Sequence, residues 1–142
     1  MILLLDFENA YNNTDRSLLL GLVIKLVSEA ANVLRWLYQR ETVLMTHRGD
    51  KVTCSTGVMQ GCPFASIAFC LVVKWLVVQL NHRGLKEKQF FMDDGLLWGT
   101  PLAMRWTLDL MEKLEPVSGL KLKFVKMSVY APNSKLAQEC RH

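Results

Sequence analysis

Three aspartates are the residues best suited to chemistry in this sequence. Asp93 and Asp94 stand side by side in the stretch Gln89–Thr100, QFFMDDGLLWGT, and Asp6 follows the apolar run Ile2–Leu5. Adjacent carboxylates repel, and ionising both in a partly buried place is costly unless a cation lies between them. Phe90, Phe91 and Met92 precede the pair, and Leu96, Leu97 and Trp98 follow it. That pattern predicts a tight β-hairpin with Asp-Asp-Gly at its turn. The same three residues also suit an ordinary solvated turn, so a metal site needs a further carboxylate. Asp6 is the candidate. It stands where a buried strand ends, a place suited to a catalytic group and equally to a turn or helix-start aspartate.

The elements that must position these residues can be read in order. Ile2–Leu5 is apolar throughout, which predicts a central strand of a sheet covered on both faces. Asn12, Asn13, Thr14 and Asp15 are cap and turn residues. From Arg16 to Gln39 the apolar spacing is helical, through Leu19, Leu22, Val23, Leu26 and Val27 and again through Val33, Leu34, Leu37 and Tyr38. One long helix or two shorter ones satisfy it. Thr42–Thr46 and Val52–Ser55 predict a hairpin across Gly49-Asp50, with Arg40, Arg48 and Lys51 beside it. Gly57 and Gly61 free the backbone around Gln60, as suits a loop that meets something flat or charged. A helix over Pro63–Leu80, apolar nearly all round, is expected to be buried. Asn81–Gln89 reads as a polar, basic connection. Thr100-Pro101 begins another helix, with Met104, Leu108, Met111 and Leu114 on its apolar face, ending before Ser118-Gly119. Leu120–Phe124 alternates apolar and basic residues and predicts a strand, with a second at Met127–Tyr130; the last ten residues read as frayed.

This order gives an α+β fold, an antiparallel sheet with helices packed on one face. Such a sheet can lay the strand ending in Asp6 beside the Asp93–Asp94 hairpin, so that three carboxylates converge. Oxygen ligands without His or Cys favour Mg2+ or Mn2+ over zinc. Two such ions about 4 Å apart clamp the attacking and leaving oxygens of a phosphoryl transfer.

The 142 residues are one domain's worth, and 51% are hydrophobic, which excludes a disordered chain. Seventeen basic against thirteen acidic residues give +4, an excess that permits a polyanionic partner without demanding one. Cys54, Cys62, Cys70 and Cys140 form no CxxC pair, so free thiols in a reducing compartment are expected. His47, His82 and His142 are scattered and carry no assigned role. The start is too short for a signal peptide before Asp6, and the longest apolar run carries Lys74, so a buried helix is expected rather than a membrane span.

Four segments in order resemble the motifs of the reverse transcriptase palm domain, most closely the non-LTR retrotransposon and group II intron type. They are LDFENAYN, GVMQGCPFAS, FFMDDG and GLKLKFVK, which together span about residues 2–132. The resemblance implies an RNA-directed DNA polymerase (a nucleotidyltransferase) that extends a DNA primer with dNTP on an RNA template, using two Mg2+ or Mn2+ ions. It implies that Asp6, Asp93 and Asp94 hold the metals, with the Phe7 carbonyl as a further ligand. Tyr11 falls at the aromatic gate against the ribonucleotide 2′-hydroxyl, and Gln60-Gly61 at the loop supporting the template and nascent base pair. Lys126 falls on the lysine that protonates pyrophosphate or steadies the triphosphate. The chain departs from the family in Ala65-Ser66-Ile67, where Leu-Ser-Pro is usual, and in Asn12, where many relatives carry Asp. The sequence is expected to be one partial domain, residues 1–142, with fingers and thumb absent, and to work inside a larger polyprotein context. Two other readings compete: a non-catalytic relic binding nucleic acid weakly through Lys121, Lys123 and Lys126, and an RNA-directed RNA polymerase palm, against which Tyr11 argues. An intracellular location is expected, nuclear for a eukaryotic retrotransposon.

Overall fold

The computed structural model describes residues 1–131. The expected frayed terminus, Cys140 and His142 lie outside the described residues.

A four-stranded antiparallel sheet in the order β4-β5-β1-β6 carries the candidate carboxylates. Its strands are β1 (Ile2–Leu5), β4 (Leu85–Phe91), β5 (Asp94–Gly99) and β6 (Ser128–Tyr130). Between β1 and β4 the chain forms α1 (Ala10–Asn13), α2 (Arg16–Leu26), α3 (Ala31–Tyr38), the separate hairpin β2 (Thr42–Met45) and β3 (Lys51–Cys54), and α4 (Ala65–Gln79). Helix α5 (Pro101–Ser118) connects β5 to the last segment.

Strand β1 is central, as its apolar run predicts, but it is covered on one face only. Leu3 and Leu5 are buried against the helices, whereas Leu4 faces outward and is 48% exposed. The core joins Leu3, Leu5 and Leu97 from the sheet to Leu19, Val23, Phe69, Val72, Leu76, Met104 and Met111 from the helices. Helix α2 packs on α3 and α4, α4 on α5, and α5 on β5, so the helices lie on one side of the sheet. The opposite face presents Leu4, Trp98 and Tyr130 to the outside.

The 16–39 stretch takes the two-helix arrangement that its spacing allowed, parted at Val27 and a short 3-10 turn over Ser28–Ala30. Several other elements differ from expectation. Asn12 and Asn13 lie in the one-turn helix α1 rather than in a turn, while Asp15 caps α2 by accepting from Leu18 N at 2.7 Å. Helix α4 starts at Ala65, after Pro63, and is not buried all round: Ile67 and Val78 are exposed on its far side. Residues 85–89 belong to strand β4 rather than to a polar connection. They sit at a sheet edge, where charged side chains are favoured because they deter further pairing. Lys88 is put to structural use there, donating from Nζ to the Val77 and Leu80 carbonyls at the C-terminus of α4. The expected strand at Leu120–Phe124 is instead one isolated bridge, Leu122 to Phe7, followed by a 3-10 turn over Phe124–Lys126. Helix α5 follows the sequence closely. Thr100 caps it by accepting from Ala103 N, Pro101 opens it, and Gly119 stops it in the left-handed region. No described helix is long and apolar enough to cross a membrane.

Candidate active site at the end of the sheet

The register of β1 and β5 decides how the carboxylates meet. Leu4 pairs with Leu96 and Leu5 with Gly95, the last pair, so Asp6 and Asp94 are the next residues at the same end of the two strands. Side chains alternate along a strand, so Asp6 continues the outward row of Ile2 and Leu4. Asp94 likewise continues the outward row of Leu96 and Trp98. Both carboxylates therefore lie at one end of the open face. Asp93 lies beyond them in the turn. Phe91 pairs with Asp94, so the hairpin loop is Met92-Asp93 and not Asp-Asp-Gly. Met92 takes φ 56, a left-handed conformation costly for a bulky residue. Gly95 is already inside the strand. There a Cβ would meet the Phe90 ring at 2.7 Å, so glycine serves close packing rather than the turn.

Asp6 is held by the segment after α5. Its carbonyl accepts from Lys123 N at 2.9 Å, and Glu8 N donates to the Lys121 carbonyl at 2.8 Å. These two bonds flank the Phe7–Leu122 bridge, making it a pair that exchanges no hydrogen bonds of its own. The Phe7 carbonyl consequently points away from residues 121–123. Its ring is buried and stacks on Phe90 with centroids 6.5 Å apart. The Asp6 carboxylate receives Lys126 Nζ at 3.2 Å. A second pair, Lys121 Nζ to Glu8 at 3.0 Å, lies alongside. The hydrogen bond and charge of Lys121 lower the pKa of the Glu8 carboxyl, and Glu8 in turn raises that of the Lys121 ammonium.

Among the described residues, no three His, Cys, Asp or Glu side chains gather into a metal-holding group. The donor chemistry nevertheless fits a hard divalent cation. Mg2+ binds through one or two carboxylates, keeps several waters and shares substrate phosphates, so three convergent side chains are not required. Asp6, Asp94 and the Phe7 carbonyl are the oxygen donors at this end of the sheet that could hold such an ion; Asp93 stands one residue away, exposed at the turn.

Tyr11 sits on α1 with its ring stacked on Phe69, centroids 4.5 Å apart. Its hydroxyl reaches Ser66 Oγ and Met92 Sδ, each at 3.5 Å, which brings it to the carboxylate hairpin. Cys70 Sγ lies 3.8 Å from the same Met92 sulfur. The Gln60-Gly61 loop is drawn to this corner by backbone bonds. Gly57 N donates to the Thr14 carbonyl at 2.8 Å and Val58 N to the Tyr11 carbonyl at 2.7 Å. Cys62 N closes a turn onto the Met59 carbonyl, leaving Gln60 and Gly61 exposed at its tip.

Arg16 anchors this loop from below, and no sequence signal marks it. Its guanidinium is buried, donating from Nε to the Gly57 carbonyl and from Nη1 to the Arg40 and Cys54 carbonyls. It also lies over the Tyr38 ring at 5.5 Å. Its acceptors are backbone groups 24 to 41 residues away, which sequence pattern does not reveal. Tyr38 is enclosed, and among the described residues its hydroxyl has no hydrogen-bond partner of good geometry. Burial, then the neighbouring Cys62 thiol, pushes its pKa up to about 12.

No protein-family model matches the chain, and no curated protein matches it in sequence. Solved structures do match. The chain shares its fold with a segment of telomerase. Telomerase from Candida albicans, in complex with a fragment of telomeric RNA, superposes with a TM-score of 0.73 at 15% identity, over 94% of this chain. Telomerase from Candida tropicalis, in the corresponding complex, gives 0.74 at 10% identity over 94% of the chain. The apo Candida tropicalis enzyme truncated from its C-terminal domain gives 0.72 at 11%. At these identities the likeness is one of fold. The chain spans 27%, 26% and 31% of those three telomerase chains, respectively.

Proposed function

We propose that this chain is the palm segment of a reverse-transcriptase-like polymerase, an RNA-directed DNA polymerase transferring nucleotides from dNTP to a primer 3′-hydroxyl. The observation that supports the reading is the β1–β5 register, whose last pair is Leu5–Gly95, so that Asp6 and Asp94 are the next residues at neighbouring strand ends, within a fold shared with telomerase. Asp6, Asp94 and the Phe7 carbonyl would hold Mg2+ or Mn2+, with Asp93 in support. The ion, when bound, supplies charge neutralisation at the phosphates and activates the primer hydroxyl. The chain's own groups position the reactants. Tyr11 presents a flat ring, fixed by Phe69, beneath the sugar. The exposed Gln60-Gly61 tip supports the template base, and Lys126 stands next to Asp6 to meet the triphosphate. The FFMDDG and MQGC motifs favour the non-LTR retrotransposon and group II type within this superfamily. RNA template, DNA primer and dNTP are the partners this reading requires, and a eukaryotic retrotransposon origin would make it nuclear.

Primer extension on an RNA template with Mg2+ or Mn2+ is the test. Extension by the chain, abolished by Asp94→Asn, supports the reading, and extension that survives Asp94→Asn refutes it. Comparing dNTP with NTP incorporation after Tyr11→Ala tests the sugar gate. A second reading, a non-catalytic relic, draws on the ion pair that already engages Asp6. Salt-dependent RNA binding without extension would favour it.

A further inference from the structure

Lys126 is placed against Asp6 by more than chance contact of two surface side chains. Asp6's own carbonyl accepts from Lys123 N, and the Lys123 carbonyl accepts from Lys126 N at 3.0 Å, which closes the 3-10 turn. The base of the lysine arm is thus hung from the backbone of the residue whose carboxylate its tip reaches at 3.2 Å. The two partners differ in exposure: the Asp6 side chain is 20% exposed and the Lys126 side chain 58%. The carboxylate is the fixed, sheltered member of the pair, and the ammonium is the member free to swing out.

We propose that Lys126 is a resident counter-ion of the metal site, occupying Asp6 in the metal-free chain and leaving when a divalent cation binds. This rests on the metal-site reading above and concerns how the site is gated. An isolated carboxylate this sheltered, with Asp94 beside it, gains from a cation at all times. A divalent ion held by Asp6 would compete with the ammonium for the carboxylate and would repel it. The two cations therefore exclude each other, and the lysine lowers the apparent metal affinity. Its release on metal entry also delivers a free ammonium beside the site only once the site is loaded, when a polyphosphate substrate has something to bind. Lys121 is a built-in control. It lies on the same segment and is 54% exposed, but it pairs with Glu8, which is not part of the carboxylate set.

The experiment titrates Mn2+ into the full chain at fixed ionic strength, following free Mn2+ by electron paramagnetic resonance. Lys126→Met should bind Mn2+ roughly 2- to 10-fold more tightly than the unaltered chain, the range for removing an exposed ion pair and a nearby like charge. Lys126→Arg, which keeps a cation, should restore the weaker affinity. Lys121→Met, which removes the same charge nearby, should change it by less than about twofold. Equal affinities for the unaltered chain and Lys126→Met overturn the proposal and leave the metal site standing. So does an equal gain in Lys121→Met. No Mn2+ bound by any form overturns both the proposal and the metal-site reading. Both lysines are more than half exposed, so their replacement does not threaten folding.

Discussion

Gly57 and Gly61 flank the Gln60 loop and share a left-handed backbone, φ 73 and φ 88, yet their substitution by alanine should have very different consequences. The conformational cost is common to both and is about 1 kcal/mol. At Gly61 that is the whole effect, because a Cβ there meets nothing within 4 Å. At Gly57 a Cβ would overlap the Asn12 backbone, lying 2.6 Å from both its carbonyl carbon and its Cα, with the Asn12 oxygen closer still. Backbone cannot rotate aside, so the 56–58 strip must lift off α1. Lifting it breaks Gly57 N to the Thr14 carbonyl, Val58 N to the Tyr11 carbonyl and Arg16 Nε to the Gly57 carbonyl. At about 1 kcal/mol for each hydrogen bond, plus the cost of leaving a buried guanidinium short of an acceptor, Gly57→Ala should lose about 4 kcal/mol or more. A domain of this size has roughly 5–15 kcal/mol in all. Urea unfolding followed by circular dichroism measures both variants. A difference between Gly57→Ala and Gly61→Ala below about 1 kcal/mol would refute the close-approach argument.

Other outcomes follow from single contacts. Tyr38→Phe removes a buried hydroxyl that lacks a good partner, so it should be neutral or stabilising by up to about 1–2 kcal/mol in the same urea assay. The Tyr38 pKa is raised from 10 to about 12, so the folded chain retains a proton that the unfolded chain loses. Stability should therefore be full below pH 10 and fall as pH rises from 10 to 12, and Tyr38→Phe should blunt that fall. Lys88→Met strips the C-terminus of α4 of donors to the Val77 and Leu80 carbonyls and should cost about 1–3 kcal/mol, read as a lower melting temperature. Asp94→Asn should abolish primer extension without changing the urea midpoint appreciably, because Asp94 is exposed on the open sheet face.

The parts of this molecule legible in its sequence are those where local chemistry and global packing agree. Thr100, Pro101 and Gly119 set both ends of α5 by capping geometry alone. Ile2–Leu5 has enough apolar character to claim a central position, and Leu96–Trp98 enough to pair with it, which leaves Asp6 and Asp94 at neighbouring strand ends. What composition could not tell was which faces stay open. Leu4 on β1 and Ile67 and Val78 on α4 are as apolar as their buried neighbours but point outward. Strand β4 was hidden because its residues, Lys86-Glu87-Lys88-Gln89, are those of an edge, where pairing on one side suffices. The alternation over Leu120–Phe124 mimicked a strand, but Lys123 turns its N–H to Asp6 and the chain curls into a 3-10 turn. Asp6 and Lys126 could each be singled out in one dimension, but their ion pair needs the turn that joins them.

The position of β1 in the sheet also has a consequence for the order of assembly. Its partners are residues 94–99 and 128–130, so the earliest of the sheet's described strands is not fully paired until the latest has been made. Closing such separations demands chain entropy before any contact rewards it, and folding slows accordingly. During synthesis, Ile2–Leu5 gains a partner on one edge only when β5 has been made, and on the other only when β6 has followed. Helices α2–α4, whose contacts are nearer in sequence, can form meanwhile and offer it a surface. A mutation that delays β5 or β6 would therefore show itself first as aggregation of nascent chains through this unpaired apolar strand, before any change in the finished fold is detectable.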